Sequence, residues 1–398
     1  MKTLANRWFP LTTAVCTLVL TMAVLRQSQR AELCSAPGVR QIFVLPVLAA
    51  TSSDAEAHTP RFRSVLFSAA DLTVARIRRL QHDGVEVITL AVGERPEELA
   101  REQQVSREIL DAGLELRYWI EVARCPILAD AHPEWMASLQ GHPEWRRLFP
   151  QIPEPTAGDV VRVYPWVPIV NREPFDGQLA RITTLLNELP TPSGLFLNDL
   201  QGAPSACGCG HHLCRWTSDY GSIRTTSPLG PTAARQFVAA LEERFAACEI
   251  VPVWTTECEE HDGAATGLCA GVGCFNGTCW KAWTEQLAPV AELSPRLGVL
   301  LPYKAFQRDL PIYGSTAQWI QHAVTSFQSM PLQYRQEPVN AGRLIAILQG
   351  WNVTESEIAA QVAAANRAGC DGYVIAYSEL QQSWHPRITL PSIAAAEP

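Results

Sequence analysis

The chain has 398 residues, 47% hydrophobic and 18% charged, enough apolar material to bury the core of one large domain or two ordinary ones. Its formal charge is -8, and no Lys/Arg cluster exceeds Arg78-Arg79 or Arg146-Arg147, which excludes the basic footprint of a nucleic-acid binder. Twelve cysteines suit an oxidising compartment, where disulfides persist.

At the N-terminus, Lys2 and Arg7 precede an apolar run from Leu11 to Leu25, the layout of a signal peptide or an uncleaved membrane anchor. At 1.5 Å per residue the run would span only about 22 Å of a roughly 30 Å hydrocarbon core, which favours the signal. Arg26 and Arg30 beyond the run, and the lack of a clear cleavage site before Cys34, keep the anchor open. We therefore expect residues 1–30 to be a leader or anchor, the protein to be exported to the periplasm or cell exterior, and any membrane attachment to go through this segment.

Beyond the leader, short runs rich in Val, Ile, Leu and aromatics alternate with longer helical patterns. Strands are predicted at 41–47, 85–92, 116–124, 194–200, 250–257, 297–303, 344–350 and 372–377. Helices are predicted at 71–82, 96–112, 175–189, 232–248, 281–293, 317–329 and 355–368. Alternating strands and helices predict an α/β chain with a parallel sheet, and eight strands match a (β/α)8 TIM barrel, here a single domain at 36–392. An open doubly wound sheet is the alternative.

An insertion at about 125–172 interrupts the third and fourth units. It carries His-Pro-Glu-Trp twice, at 132–135 and 142–145, each reading as a turn or short helix with Pro at its first position. Residues 160–170 read as a loop or an added strand, since Pro165 and Pro168 argue against a central one.

In a barrel of this kind, functional groups come from the C-terminal ends of the strands. The candidates are Glu94, Glu121, Asn198 with Asp199, Glu257, Tyr303, Gln349 with Trp351, and Tyr377 with Glu379. Trp119 and Glu121 share strand parity, opposite to Tyr118, Ile120 and Val122, so they should face the barrel interior and mouth. Asp199 and Glu257 end neighbouring strand candidates, which lie about 4.8 Å apart, within reach of the roughly 5 to 5.5 Å carboxylate spacing of retaining glycosidases. One acid would attack or stabilise the anomeric carbon while the other protonates the leaving oxygen. The plainer alternatives are helix capping or an Arg partner, with Arg117 and Arg124 flanking Glu121.

Of the twelve tryptophans, Trp119, Trp166, Trp216, Trp254, Trp280 and Trp351 fall on or just beyond strand ends, where flat rings could stack on sugar faces, and Trp119, Trp254 and Trp351 with Tyr303 and Tyr377 are the substrate-binding candidates. Burial in the core is the usual fate of a Trp. Cys207, Cys209, Cys214, Cys258, Cys269, Cys274 and Cys279 fall after the fourth and fifth strand candidates. Disulfides, a structural metal with His211 or His212, and free thiols all fit this set, and an exported chain favours disulfides. The sequence has no P-loop, Rossmann fingerprint, Gly-x-Ser-x-Gly or His-Glu-x-x-His, and no cofactor or catalytic metal is expected.

Gly194-Leu-Phe-Leu-Asn-Asp199, followed by Cys207-Gly-Cys209 and Cys214, resembles a strand-end acid and cysteine loop of glycoside-hydrolase-like barrel proteins, including ones similar to alpha-glucuronidases. The closing Gly369-Cys-Asp-Gly-Tyr-Val-Ile-Ala-Tyr377 looks like the last barrel strand of such proteins. The resemblance implies a carbohydrate ligand, and by parallel with amylase-like barrels it would make Asp199 the nucleophile and Glu257 the acid. The chain departs from that pattern where Leu197 replaces the expected Arg, and where Gln349-Gly350-Trp351 lacks a further Asp. A noncatalytic carbohydrate-binding or scaffolding barrel is the second expectation.

Overall fold

The computed structural model describes residues 61–93, 95–137, 149–200, 229, 232–255, 293–302, 315–333, 343–380 and 385–389, all within the compact unit Ala57–Pro398. Among the described residues there are ten strands: β1 (Phe62–Ser68), β2 (Val87–Ala91), β3 (Glu115–Glu121), β4 (Val160–Tyr164), β5 (Gly194–Asn198), β6 (Glu249–Thr255), β7 (Leu297–Leu301), β8 (Leu344–Gln349), β9 (Gly372–Ala376) and β10 (His385–Thr389). The described helices are α1 (Val74–His82), α2 (Leu99–Asp111), α3 (Pro126–Ala131), α4 (Arg172–Glu188), α5 (Ala233–Arg244), α6 (Thr316–Gln333) and α7 (Glu355–Arg367). No described helix is long and apolar enough to cross a membrane.

Eight strands close a parallel barrel in the order β1-β2-β3-β5-β6-β7-β8-β9, with β9 pairing back onto β1. The protein is a (β/α)8 barrel. One strand assignment is corrected: the first barrel strand is Phe62–Ser68, not 41–47. Residues 62–68 read Phe-Arg-Ser-Val-Leu-Phe-Ser, where Arg63 and two serines obscure the apolar run. Ser64 lies inside the barrel, where its hydroxyl meets Thr89 Oγ1 at 2.8 Å and the Val87 carbonyl at 3.2 Å, so hydrogen bonds offset the cost of burying polar groups. Segment 41–47 and residues 281–292 of the predicted helix 281–293 lie outside the described residues.

Alternation sorts the side chains into two layers. Val65, Phe67, Ile88, Leu90, Tyr118, Ile120, Leu195 and Leu197 point outward to the helices. Phe62, Leu66, Val87, Trp119, Phe196, Val251, Val253 and Leu300 fill the barrel. The helices match this by presenting one apolar stripe: α4 buries Phe175, Leu179, Ile182, Leu185 and Leu186 at spacings of three and four, and Phe175 meets Phe237 of α5 edge-on at 5.2 Å. Thr354 starts α7 with a capping box to Glu357, and Thr73 caps α1 through the Arg76 N–H.

The N-terminal end of the barrel is closed by charge. Arg117 lies inside, bonded to Glu249 at 2.7 Å and Glu115 at 2.8 Å, while Arg296 reaches Glu249 at 3.1 Å and Asp371 at 2.7 Å. The guanidinium carbons of Arg117 and Arg296 sit 4.6 and 5.8 Å from the centre of the Phe62 ring. Gly194 makes room for this plug, because a Cβ there would lie 2.9 Å from Arg117 Nη1.

The insertion after β3 builds a second, two-stranded antiparallel sheet, in which β4 pairs with β10 near the C-terminus. Residues 160–164 are thus the added strand, and Pro165 lies just beyond it. The first His-Pro-Glu-Trp forms a 3-10 turn at Pro133–Trp135, and Trp135 packs over Gly177 of α4, where a Cβ would come within 2.7 Å of the indole. The second copy lies outside the described residues.

Candidate functional site

The C-terminal mouth of the barrel gathers a buried carboxyl pair. Glu121 ends β3 and stands in register opposite Asn198 of β5, and Asp199 follows as the first residue beyond that strand. Adjacent strands with matching parity bring these side chains to one place. Glu121 is 5% exposed, and Asn198 and Asp199 are fully buried.

The Glu121 carboxyl is held by hydrogen bonds and a nearby charge. Trp119 Nε1 donates to Oε1 at 2.8 Å, and Asn198 Nδ2 donates to Oε2 at 2.9 Å. Burial would push the Glu121 pKa up, but a hydrogen bond with the Asp199 carboxyl, the Arg124 charge and the Trp119 and Asn198 donors together hold it below its ordinary value. A bond between two carboxyl groups requires one proton. The donors around Glu121 favour leaving the charge there and the proton on Asp199.

Two further features mark this corner as built. Asp199 adopts φ 59°, the left-handed region that an Asp tolerates better than most residues, so the chain turns abruptly as it leaves β5. Asn198 Oδ1 is buried with no hydrogen-bond partner among the described residues. Glu121 takes the amide nitrogen, which leaves that oxygen an unused acceptor among the described residues.

The backbone beneath the pair is braced from outside. Arg181 of α4 donates to the carbonyls of Glu121 at 2.8 Å and Gly93 at 3.1 Å, and its Nε bonds Gln178 Oε1 at 2.9 Å. Gln178 is fully buried and holds the Val167 carbonyl at 3.2 Å. Glu102 of α2 accepts from the Gly93 N–H at 2.9 Å, so both polar groups of Gly93 are held by helix side chains. Sequence reasoning missed Arg181, Gln178 and Glu102, because they act on main-chain atoms and belong to no motif.

The remaining candidates separate. Trp119 is an interior residue, 1% exposed and stacked on Phe196 at 6.1 Å, so it orients Glu121 and has no free face for a sugar. Trp351 is likewise buried in the interior cluster, and its carbonyl accepts from Gln349 Nε2 at 3.1 Å. Tyr377 is half-exposed but belongs to the outward layer, stacked on Phe67 at 5.0 Å, away from the Glu121 cluster. Glu379 is exposed, one residue after Ser378, whose hydroxyl bonds Asp71 at 2.6 Å. Trp254 lies in β6, in register with Val299. Arg117 bonds Glu115 and Glu249 in the plug, so the expected Arg117 partner for Glu121 gives way to the mouth donors.

Glu94, Glu257, Tyr303 and the cysteines Cys207, Cys209, Cys214, Cys258, Cys269, Cys274 and Cys279 lie outside the described residues. The described cysteines, Cys125, Cys248 and Cys370, are buried free thiols, and burial pushes Cys370 up to about 12, which leaves it protonated and inert. No cluster of metal-ligating side chains occurs among the described residues.

No family model matches the sequence, and no curated protein matches it. Among solved structures, the chain is similar to an endo-1,4-beta-D-mannanase from Thermotoga petrophila RKU-1, with 12% identity and a TM-score of 0.43 over 80% of this chain and 88% of that one. It is similar to a protein from Bacteroides thetaiotaomicron VPI-5482 classed provisionally as an alpha-L-fucosidase, with 8% identity and a TM-score of 0.41 over 81% and 88%. A sugar phosphate isomerase/epimerase from Parabacteroides distasonis ATCC 8503 matches with 10% identity and a TM-score of 0.36 over 83% and 91%. The functional reading therefore rests on the residues of this chain.

Proposed function

We propose that the protein is a glycoside-hydrolase-like barrel that cleaves a glycosidic bond by carboxyl acid/base chemistry at the mouth formed by β3, β5 and β6. The observation that carries this reading is the buried, hydrogen-bonded pair of Glu121 and Asp199 at the C-terminal end of the barrel. Asp199 holds the shared proton and delivers it to the leaving oxygen, which departs with it; the water that then attacks the sugar returns a proton to Asp199, while Glu121 stays anionic beside its donors throughout. Asn198 Oδ1 accepts from a substrate hydroxyl.

The pair performs one of the two jobs a glycosidase needs. Nucleophile and acid in such enzymes stand at least about 5 Å apart, and carboxyls sharing a hydrogen bond are too close to flank a bond between them. The second job falls to a carboxylate on another strand end, for which Glu257, just beyond β6, has the right place in the sequence. This exchanges the roles first expected of Asp199 and Glu257. The N-terminal leader pattern and the twelve cysteines support a setting outside the cytoplasm.

The test is a hydrolysis screen against diverse glycans with the full chain and with Asp199→Asn, Glu121→Gln and Glu257→Gln. Turnover by the wild type that falls about 10²- to 10⁴-fold in Asp199→Asn supports the mechanism. Binding without turnover in all four proteins replaces it with a carbohydrate-binding barrel.

A further inference from the structure

The β4–β10 sheet carries a polar cluster that the mouth does not use. Tyr164 and His385 are directly opposed across the two strands, with ring centres 4.7 Å apart. Arg387 lies two residues further along the same face, its guanidinium 5.0 Å from the Tyr164 ring centre. Both groups converge on one carboxylate from a different element: Arg387 Nη1 reaches Asp130 Oδ1 at 2.5 Å, and the Tyr164 hydroxyl donates to Oδ2 at 3.3 Å. These side chains border an open groove of about 670 Å³, whose remaining wall is Ile152, Pro153, Pro386 and Ile388.

We propose that this groove is a second glycan-binding site, taking an uncharged stretch of the same polymer whose bond is cleaved at the mouth. The inference rests on the glycan reading above.

Three observations select this occupant. The charges of Asp130 and Arg387 cancel, and burial together with the Arg387 charge holds His385 below its ordinary pKa, so the groove offers no net charge to a charged ligand at neutral pH. Among the described residues, Arg387 commits one of its five N–H donors to protein, and the carboxylate beside it retains acceptor sites. A fixed donor beside a fixed acceptor matches the neighbouring hydroxyls of a sugar, while the Pro and Ile wall suits its C–H faces. Finally, the groove is fastened to the strand that ends in Glu121: Cys125 N–H bonds the Pro165 carbonyl at 3.0 Å, and Val167 N–H bonds the Ala123 carbonyl at 2.8 Å. A cross-strand pair serving the sheet alone would not require Asp130, which comes from α3 and is exposed.

The test is calorimetric titration of the full chain with soluble neutral polysaccharides and their oligomers. The variants are Arg387→Met, Asp130→Asn, Tyr164→Phe and Glu121→Gln, each with its melting temperature measured. The proposal expects an affinity loss of about tenfold in Arg387→Met or Asp130→Asn at unchanged melting temperature, with binding retained in Glu121→Gln. Wild-type affinity in folded Arg387→Met and Asp130→Asn overturns it, as does absence of binding by the wild type. A proline-rich peptide captured in place of glycan, and lost in the same variants, also overturns it. If hydrolysis depends on Asp199 while binding ignores the groove, the second site fails and the mouth reading stands. If the groove binds and nothing is cleaved, the mouth reading fails and the second site stands.

Discussion

Glu121 and Asn198 face each other across the ladder between β3 and β5, and the amide nitrogen of one lies 2.9 Å from the carboxylate of the other. That contact fixes two things at once. It supplies the carboxylate with a donor, and it commits the amide nitrogen, leaving Oδ1 as the acceptor that the proposed mechanism assigns to a substrate hydroxyl. Asn198→Asp should therefore place a third acid beside Glu121 and Asp199, raise the pKa of the group, and move the acid limb of any pH–rate profile upward. A profile identical to that of the wild type would show that Asn198 does not couple to the pair.

Trp119→Phe keeps most of the interior volume and removes one donor from Glu121 Oε1. A buried acceptor deprived of its partner costs about 1 to 3 kcal/mol. The folded pKa of Glu121 is lowered, so its ionised form contributes stability above the unfolded carboxyl value, and that contribution is lost as pH falls through the folded value. The variant should therefore unfold at lower urea than the wild type at pH 7, and the gap should narrow below about pH 4, as Glu121 becomes protonated in both proteins. A gap that is constant with pH would assign the loss to packing alone.

Gly93→Ala should destabilise the barrel by more than about 2 kcal/mol. Gly93 has φ 77°, and an added Cβ would collide with Leu185 Cδ2 of α4. The displacement would also pull the Gly93 carbonyl from Arg181, which also holds the Glu121 carbonyl. Chemical denaturation measures the loss, and activity per folded molecule should fall along with stability.

At the opposite end of the barrel, Glu249→Ala leaves Arg117 and Arg296 without the carboxylate they share. Breaking a buried pair by removing one partner costs about 3 to 5 kcal/mol, and Glu249, being partly exposed, should lie at or below the lower figure. The N-terminal face of such barrels serves stability, so the folded fraction should retain wild-type turnover. Reduced turnover in fully folded protein would contradict that division.

The barrel was legible because seven of its eight strands are runs of Val, Ile, Leu and aromatics that hardly depend on context. The eighth, β1, was hidden because its interior positions include Ser64 and Ser68 and its outer position Arg63, and only the tertiary contact with Thr89 makes Ser64 an acceptable core residue. The Trp119–Glu121 relationship followed from period-two alternation. Pairing Asp199 with Glu121 is equally accessible to the sequence, since the third and fourth barrel strands must be neighbours, while Glu257 on the next strand lies outside the described residues. The burial of Trp351 and the outward position of Tyr377 depend on where each strand stops, the least certain property of a sequence. Arg181 braces the mouth through the main-chain oxygens of Gly93 and Glu121, and nothing in its neighbours along the chain announces that role.

The pairing of β4 with β10 joins residue 160 to residue 389 outside the barrel. All eight barrel strands are complete by Ala376, so a chain ended after Leu380 would retain the closed sheet while β4 lost its described partner strand. The tail is thus a clasp on the insertion that springs from the end of β3. Limited proteolysis between β9 and β10 would release that clasp without opening the barrel.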